Sequence, residues 1–352
     1  YFSTGSCLSF WSVRFGLAAA SPKDHMDWNW GPVIPYATEA FRSYAKVRLK
    51  ARDEVSVRSY EPYRVEDRYG LKDLLPYQGR DLDYVRAVVN TFRKMGYSLQ
   101  GMDIELKTTI PVGTGLASSA ALCVSVAHAV SLACGFSLGP VELGNIAYVA
   151  EAKEVKTGCG QMDPHSSAQG SLCYIDCSTE PPRRIERLEL KKPFPIVIGD
   201  TGVPRKASRV LHWLGRKVRE KDPDMLEGVR KITGLVDEAW RELKKPDWSP
   251  QRIGGYMSEN QRFLREYLRV STFEIEELIY AALKAGALGA KLTGAGGGGC
   301  IIVFTRPEDQ SKVAKSIEDA GGKAYLTDIA NQGARIEDTK VFGDIRYPFG
   351  KK

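Results

Sequence analysis

Apolar and polar positions along the chain change period several times, and each change marks an element. Residues 11–17, 33–36, 44–49 and 54–60 alternate in the manner of strands. Residues 81–95 switch to helical spacing, with Tyr84, Val85, Val88, Val89, Phe92 and Met95 on one face. Residues 102–110 alternate again and are rich in Thr and Ile, which predicts a strand. Residues 120–133 are small and almost wholly apolar, which predicts a buried helix. Another helix is predicted over 140–155, with Pro140 in its first turn. A strand-like run and turn follows at 195–202. Charged helices are predicted over 211–220, 225–243 and 251–269, and an amphipathic helix over 274–287 with Ile275, Leu278, Ile279, Ala282 and Leu283 on one face. A strand at 301–304, a helix at 312–320 and strands at 323–328 and 334–336 complete the pattern. A length of 352 residues suggests two domains. Pro181-Pro182-Arg183-Arg184 reads as a linker between residues 1–180 and 181–352.

Composition narrows the class. Hydrophobic residues make up 43% and charged residues 26%, the proportions of a globular domain with a sizeable core. No run of about 18 apolar residues exists, so no transmembrane helix is expected. Residues 1–20 are fairly apolar but carry Arg14 mid-run, and they read as part of the fold, not as a signal peptide. A net charge of +7 is mild over this length. It helps attract a small anion, while the lack of a clustered basic stripe argues against a nucleic-acid partner. The seven cysteines are odd in number, form no CxxC pair and lie partly in apolar runs, as expected of reduced thiols in a cytoplasmic protein. Cys159, His165, Cys173 and Cys177 have a spacing that fits no zinc pattern.

The junction between the 102–110 strand and the 120–133 helix carries candidate chemistry. It reads Pro111-Val112-Gly113-Thr114-Gly115-Leu116-Ala117-Ser118-Ser119-Ala120-Ala121. Gly113 and Gly115 let the backbone turn tightly and approach a ligand. Ser118 and Ser119 sit where the first helical N–H groups have no intrahelical partner, and such an end attracts phosphate. A Walker A loop is excluded, because no Lys lies here; a G-x-G-x-x-G fingerprint is excluded, because Ser118 holds the third glycine's place. Taken alone, the residues also fit a capped core helix. The whole segment, however, resembles the second motif of the GHMP kinases, P-x-G-x-G-L-x-S-S-A-A, through eleven positions.

Four further stretches extend the resemblance. Asp24-His25-Met26-Asp27-Trp28 is similar to the E-H-T-D-Y of galactokinases, and its carboxylates and aromatic rings suit a polyol. Glu151 to Asp163 resembles the galactokinase segment A-E-N-x-x-V-G-V-x-x-G-I-M-D-Q without a gap, although Pro164 replaces the final Gln. By itself Asp163, after a glycine turn and between Met162 and Pro164, reads as a turn former in a loop. The segment 286–300, with Gly294, Gly296 and Gly297 at its centre, resembles the third motif of the family in its mevalonate-kinase wording. Ile198-Gly199-Asp200-Thr201-Gly202 is also similar to mevalonate kinases.

The resemblance covers nearly the whole chain. It implies an α+β, two-domain GHMP kinase fold, with a ribosomal-protein-S5-domain-2-like N-terminal domain, a ferredoxin-like C-terminal domain and the active site between them. It implies transfer of a phosphoryl group from ATP to a hydroxyl, with Mg²⁺ as cofactor. Gly113, Gly115, Leu116, Ala117, Ser118 and Ser119, with Gly294, Gly296 and Gly297, would hold the phosphates. Ser119 and Glu151 would hold Mg²⁺, and Asp163 would orient or deprotonate the acceptor hydroxyl. Asp24, His25, Asp27 and Trp28 would bind a small polyhydroxylated acceptor. Arg14 would supply the family's upstream basic residue, while the residues alone equally allow an exposed strand arginine. The acceptor implied is a sugar, galactose above others; mevalonate is the alternative, and a non-catalytic sugar sensor is the third reading. A monomer or a homodimer is expected.

Overall fold

A computed structural model describes residues 2–5, 8–11, 32–38, 41–73, 76–111, 114–204 and 207–337. The N-terminal half carries β1 (Phe2–Gly5), β2 (Leu8–Trp11), β3 (Pro32–Tyr36), β4 (Ser43–Lys50), β5 (Glu54–Glu61) and β6 (Val65–Gly70). It continues through α1 (Asp83–Lys94), β7 (Gly101–Thr108), α2 (Ser118–Ala133), α3 (Pro140–Tyr148), a π-helical turn Val149–Glu154, α4 (Met162–Gln169), β8 (Leu172–Asp176) and β9 (Arg184–Leu188). The C-terminal half adds β10 (Ile196–Asp200), α5 (Ala207–Arg219), α6 (Pro223–Leu243), α7 (Pro250–Glu266) and α8 (Phe273–Lys284). After these come β11 (Gly289–Leu292), β12 (Cys300–Phe304), α9 (Gln310–Asp319) and β13 (Lys323–Thr327).

The first sheet has the order β1-β4-β7-β5-β6. Its central strands alternate strictly. Ala45 and Val47 of β4, with Met102, Ile104 and Leu106 of β7, point into a core shared with α1 and α2. The intervening Lys46 and Lys50 pair with Glu105 at 3.2 Å and Asp103 at 2.9 Å on the outer face. α2 is buried on nearly every side, as its apolar composition requires. A second sheet runs β2-β3-β8-β9. The third runs β11-β12-β10-β13 and is antiparallel throughout, the ferredoxin-like order.

Several elements differ from the sequence expectation. The single helix over 140–155 divides, and its last turn is π-helical. Asp163 lies not in a loop but in the first turn of α4. β6 and β9 were not foreseen. Both are edge strands, and Tyr69 is the one fully buried side chain of β6, so neither carries the apolar alternation that marks an inner strand. Arg184, expected in a linker, opens β9 and pairs with Asp176. Met95 is largely exposed just past the end of α1. Residues 334–336 form no strand and follow the backbone near Ala168.

Candidate functional site

The turn after β7 is shaped by backbone conformations that few residues adopt. Thr114 Oγ1 donates to Pro111 O at 3.1 Å. Gly115 has φ of 92°, and Ala117, at φ 54° and ψ 39°, is left-handed although it has a side chain. A non-glycine residue there costs on the order of 1–3 kcal/mol and persists only where its surroundings fix it. Buried Leu116 anchors the turn. The strain at Ala117 turns the chain abruptly into α2, whose first two residues are Ser118 and Ser119. The first turn of α2 holds no acidic residue of its own, so the positive end of the helix dipole is not offset from within the helix.

Glu151 meets that helix end from the π-helical turn. Ser119 Oγ donates to Glu151 Oε1 at 2.6 Å, and Glu151 is only 4% exposed. The carbonyl of Glu151 accepts from Thr157 Oγ1 at 3.2 Å, and Thr157 Oγ1 in turn accepts from Cys159 N at 3.3 Å. This ties the following loop to the turn. Burial, then the Glu151 charge, pushes the Cys159 thiol well up, with a further contribution from Asp163. The Cys123 thiol is raised by burial and then by Glu151. The Tyr84 hydroxyl is raised by the same two causes first. Cys159 therefore lies within the field of both carboxylates, twelve residues apart in sequence. Asp163 sits at the N-terminal end of α4, where a carboxylate complements the helix dipole. α4 itself packs against α2 and α3.

The third glycine-rich segment joins β11 to β12. Gly294 and Gly296 to Gly299 all have positive φ. A Cβ on Gly296 would lie 2.4 Å from Val270 O, and one on Gly297 would lie 2.8 Å from Val210 Cγ2. Gly297 N donates to Val270 O at 2.8 Å, and Gly299 O accepts from Thr201 Oγ1 at 2.7 Å. The close approaches that exclude side chains are thus to the chain's own backbone around Val270 and to Val210. The Asp200-Thr201-Gly202 turn is locked to the same loop.

Gly115, Leu116, Ala117, Ser118, Ser119 and Glu151 are brought together, and Asp163 shares the electrostatic surroundings of Cys159 with Glu151. Gly113, Arg14, Asp24, His25, Asp27 and Trp28 lie outside the described residues. Sequence reasoning missed the π-helical turn and the neighbours Tyr84 and Cys159; no periodicity distinguishes a π turn within an apolar helix. Among the described residues no group of three or more His, Cys, Asp or Glu is placed to hold a metal ion. The six cysteines described are free thiols. No helix among these residues is long and apolar enough to cross a membrane. A buried carboxylate with a hydroxyl at 2.6 Å fits Mg²⁺, a hard cation that usually takes one or two protein oxygens and completes its shell with phosphate and water.

The family models for the GHMP kinases N terminal domain and the GHMP kinases C terminal region match residues 83–171 and 241–323. The chain is 34% identical to the mevalonate kinase of Thermococcus gammatolerans over 313 residues, 86% of this chain and 89% of that protein. It is 27% identical to the galactokinase of Thermotoga petrophila over 336 residues, 87% of this chain and 92% of that one. Its structure resembles that of Lactococcus lactis galactokinase complexed with galactose, with a TM-score of 0.78 and 20% identity, covering 95% of this chain and 94% of the other. By sequence along most of its length, and by a fold in which the strained turn and Glu151 meet at one helix end, the chain belongs to the GHMP kinases, phosphotransferases that act on hydroxyl acceptors.

Proposed function

We propose that this kinase transfers the γ-phosphate of ATP to a hydroxyl of a sugar, galactose or a related monosaccharide. The observation that carries the phosphoryl-transfer reading is the 2.6 Å contact between Ser119 and buried Glu151 at the dipole end of α2. Ser119 and Glu151 would hold Mg²⁺, which would offset the charge of the phosphates. The N–H groups of the 115–119 turn bind the phosphates. Gly113 belongs to the same cradle, and Gly294, Gly296 and Gly297 close it from the C-terminal half. Asp163 accepts the hydrogen bond of the acceptor hydroxyl and holds its oxygen toward the γ-phosphorus. Such a transfer needs alignment and charge neutralisation more than covalent help. Arg14 supplies a positive charge near the transferred group.

The sugar assignment rests on the acceptor loop. Asp24, His25 and Asp27 offer polar groups to hydroxyls, and Trp28 covers an apolar ring face. A site built to bind hydroxyls discriminates strongly, because an analogue lacking them leaves its polar groups unpaired. Phosphorylation of mevalonate is the second reading. It is favoured by the 34% identity to the Thermococcus gammatolerans mevalonate kinase and by the wording of residues 198–202 and 286–300. A coupled assay of ADP release against galactose, other hexoses, pentoses and mevalonate separates the two. Turnover of mevalonate far above every sugar overturns the sugar assignment. Absence of ADP release with all of them points to the sensor reading instead. On the sugar reading, Asp27→Ala raises the sugar KM sharply and leaves ATP binding nearly intact.

A further inference from the structure

The π-helical turn that carries Glu151 is also gripped at its C-terminal end, by side chains of α1 and of the segment before it. Its last residue, Glu154, has a side chain only 12% exposed. Glu154 Oε2 accepts from Tyr77 Oη at 2.8 Å. Lys94 Nζ contacts both carboxylate oxygens at 2.7 Å. Asn90 Nδ2 donates to Tyr77 Oη at 3.1 Å and so fixes the phenol's orientation. Asn90 and Lys94 both stand on α1, which is held rigidly in the core by Val85, Val88, Val89 and Phe92, none of them solvent-exposed.

A π turn needs such a grip. Its i to i+5 bonding, seen here as Val155 N to Ala150 O at 3.1 Å, is less favourable than the α-helical pattern. Without side-chain restraints the turn would relax toward the α register of α3, from which it continues directly. Relaxation to the α register would change the rotation of Glu151 about the helix axis. That rotation would carry its carboxylate away from Ser119. Isolated surface ion pairs contribute little. Here Lys94 is half-exposed, but the Glu154 carboxylate is sheltered, is joined by a phenol hydroxyl and acts on a strained segment three residues from Glu151.

We propose that Glu154, Tyr77 and Lys94 are positioning residues that set the metal affinity of the site by holding the π turn in register. The proposal rests on Glu151 being a Mg²⁺ ligand. Partners that orient a metal ligand typically contribute 10–100-fold to affinity. Binding of Mn²⁺ together with ADP, followed by electron paramagnetic resonance, reads this without turnover. Glu154→Leu should weaken Mn²⁺ binding about 10–100-fold, while ADP binding without metal stays unchanged. Glu154→Gln keeps an acceptor for Tyr77 and should retain most of the affinity. Equal Mn²⁺ affinity in wild type and Glu154→Leu overturns the proposal; so does an equal loss of metal-free ADP binding, which would mark a general distortion. If Glu154→Leu does not fold, Tyr77→Phe decides, because it deletes a single hydroxyl. Weaker Mn²⁺ binding in that variant supports the proposal, and unchanged binding overturns it. Glu151→Gln separates the two levels. If it binds Mn²⁺ as tightly as wild type, the ligand assignment falls and this proposal with it. If it binds weakly while the Glu154 and Tyr77 variants do not, the positioning role alone falls.

Discussion

Lys291 gives a prediction whose size follows from its burial. The residue lies in β11, directly before the third glycine-rich segment, and is 1% exposed. Its Nζ donates to Leu292 O at 2.5 Å, and no carboxylate pairs with it among the described residues. Leu292 N in turn donates to Gln261 Oε1 at 2.9 Å. Burial lowers the lysine's pKa from its ordinary 10.5 to about 7. The difference of roughly 3.5 units corresponds to about 5 kcal/mol at 1.36 kcal/mol per unit. Because the folded value is the lower one, the unfolded chain holds the extra proton between about pH 7 and pH 10. Stability therefore rises with pH through that window, by about 1.4 kcal/mol per unit well above pH 7 and by about 2.5 kcal/mol between pH 7 and pH 9. Lys291→Met keeps the length and removes the titration. The variant should be the more stable protein at pH 7, by up to about 4 kcal/mol less the 1–3 kcal/mol for leaving Leu292 O without its donor. The advantage should shrink toward pH 9. Urea unfolding at pH 7, 8 and 9, followed by the fluorescence of buried Trp240 and Trp248 in the same core, measures it. Parallel pH profiles for the two proteins would show that Lys291 keeps its proton when folded, and would refute the reasoning.

Three other outcomes are expected. Ser119→Ala should lower the rate about 10- to 1000-fold, the range for losing one preorganised electrostatic contact; an unchanged rate at saturating Mg²⁺ removes Ser119 from the site. Asp163→Asn keeps shape but not basicity, so kcat should fall about 10²–10⁴-fold with nucleotide affinity little changed; retention of more than about a third of kcat assigns the role elsewhere. His165 is fully buried, with no hydrogen-bond partner for either ring nitrogen among the described residues, and burial lowers its pKa from 6.5 to about 4. The unfolded chain takes up that proton first, so about 3 kcal/mol of stability should be lost as pH falls from 6.5 to 4; His165→Leu should flatten this limb of the unfolding profile, and an unchanged limb would contradict the shift.

What could be read from the chain, and what could not, divides along a physical line. Short-range signals were legible. Gly115 and Ser118-Ser119 marked a strand-to-helix junction, and the apolar run after them marked a buried helix, because each depends on neighbours in sequence. The contact that gives the junction its chemistry is not of that kind. Ser119 and Glu151 are 32 residues apart and meet only because α3 ends in a π turn. That turn is held by Tyr77 and Lys94, from a different part of the chain again. Asp163 looked like a loop residue because Gly160 and Pro164 flank it. Yet Pro164 is tolerated in the first turn of a helix, where its missing N–H would have had no partner, so the same residues start α4. The third segment shows the converse. Its glycines announced that backbone must pass close to something, and the structure identifies Val270 O and the Val210 side chain as what Gly296 and Gly297 approach. Local sequence thus specifies where the chain turns or must be bare, while the partner across the gap is set by packing. For that reason the residues that tune this site, Glu154 above all, were invisible in the motif and plain in the fold.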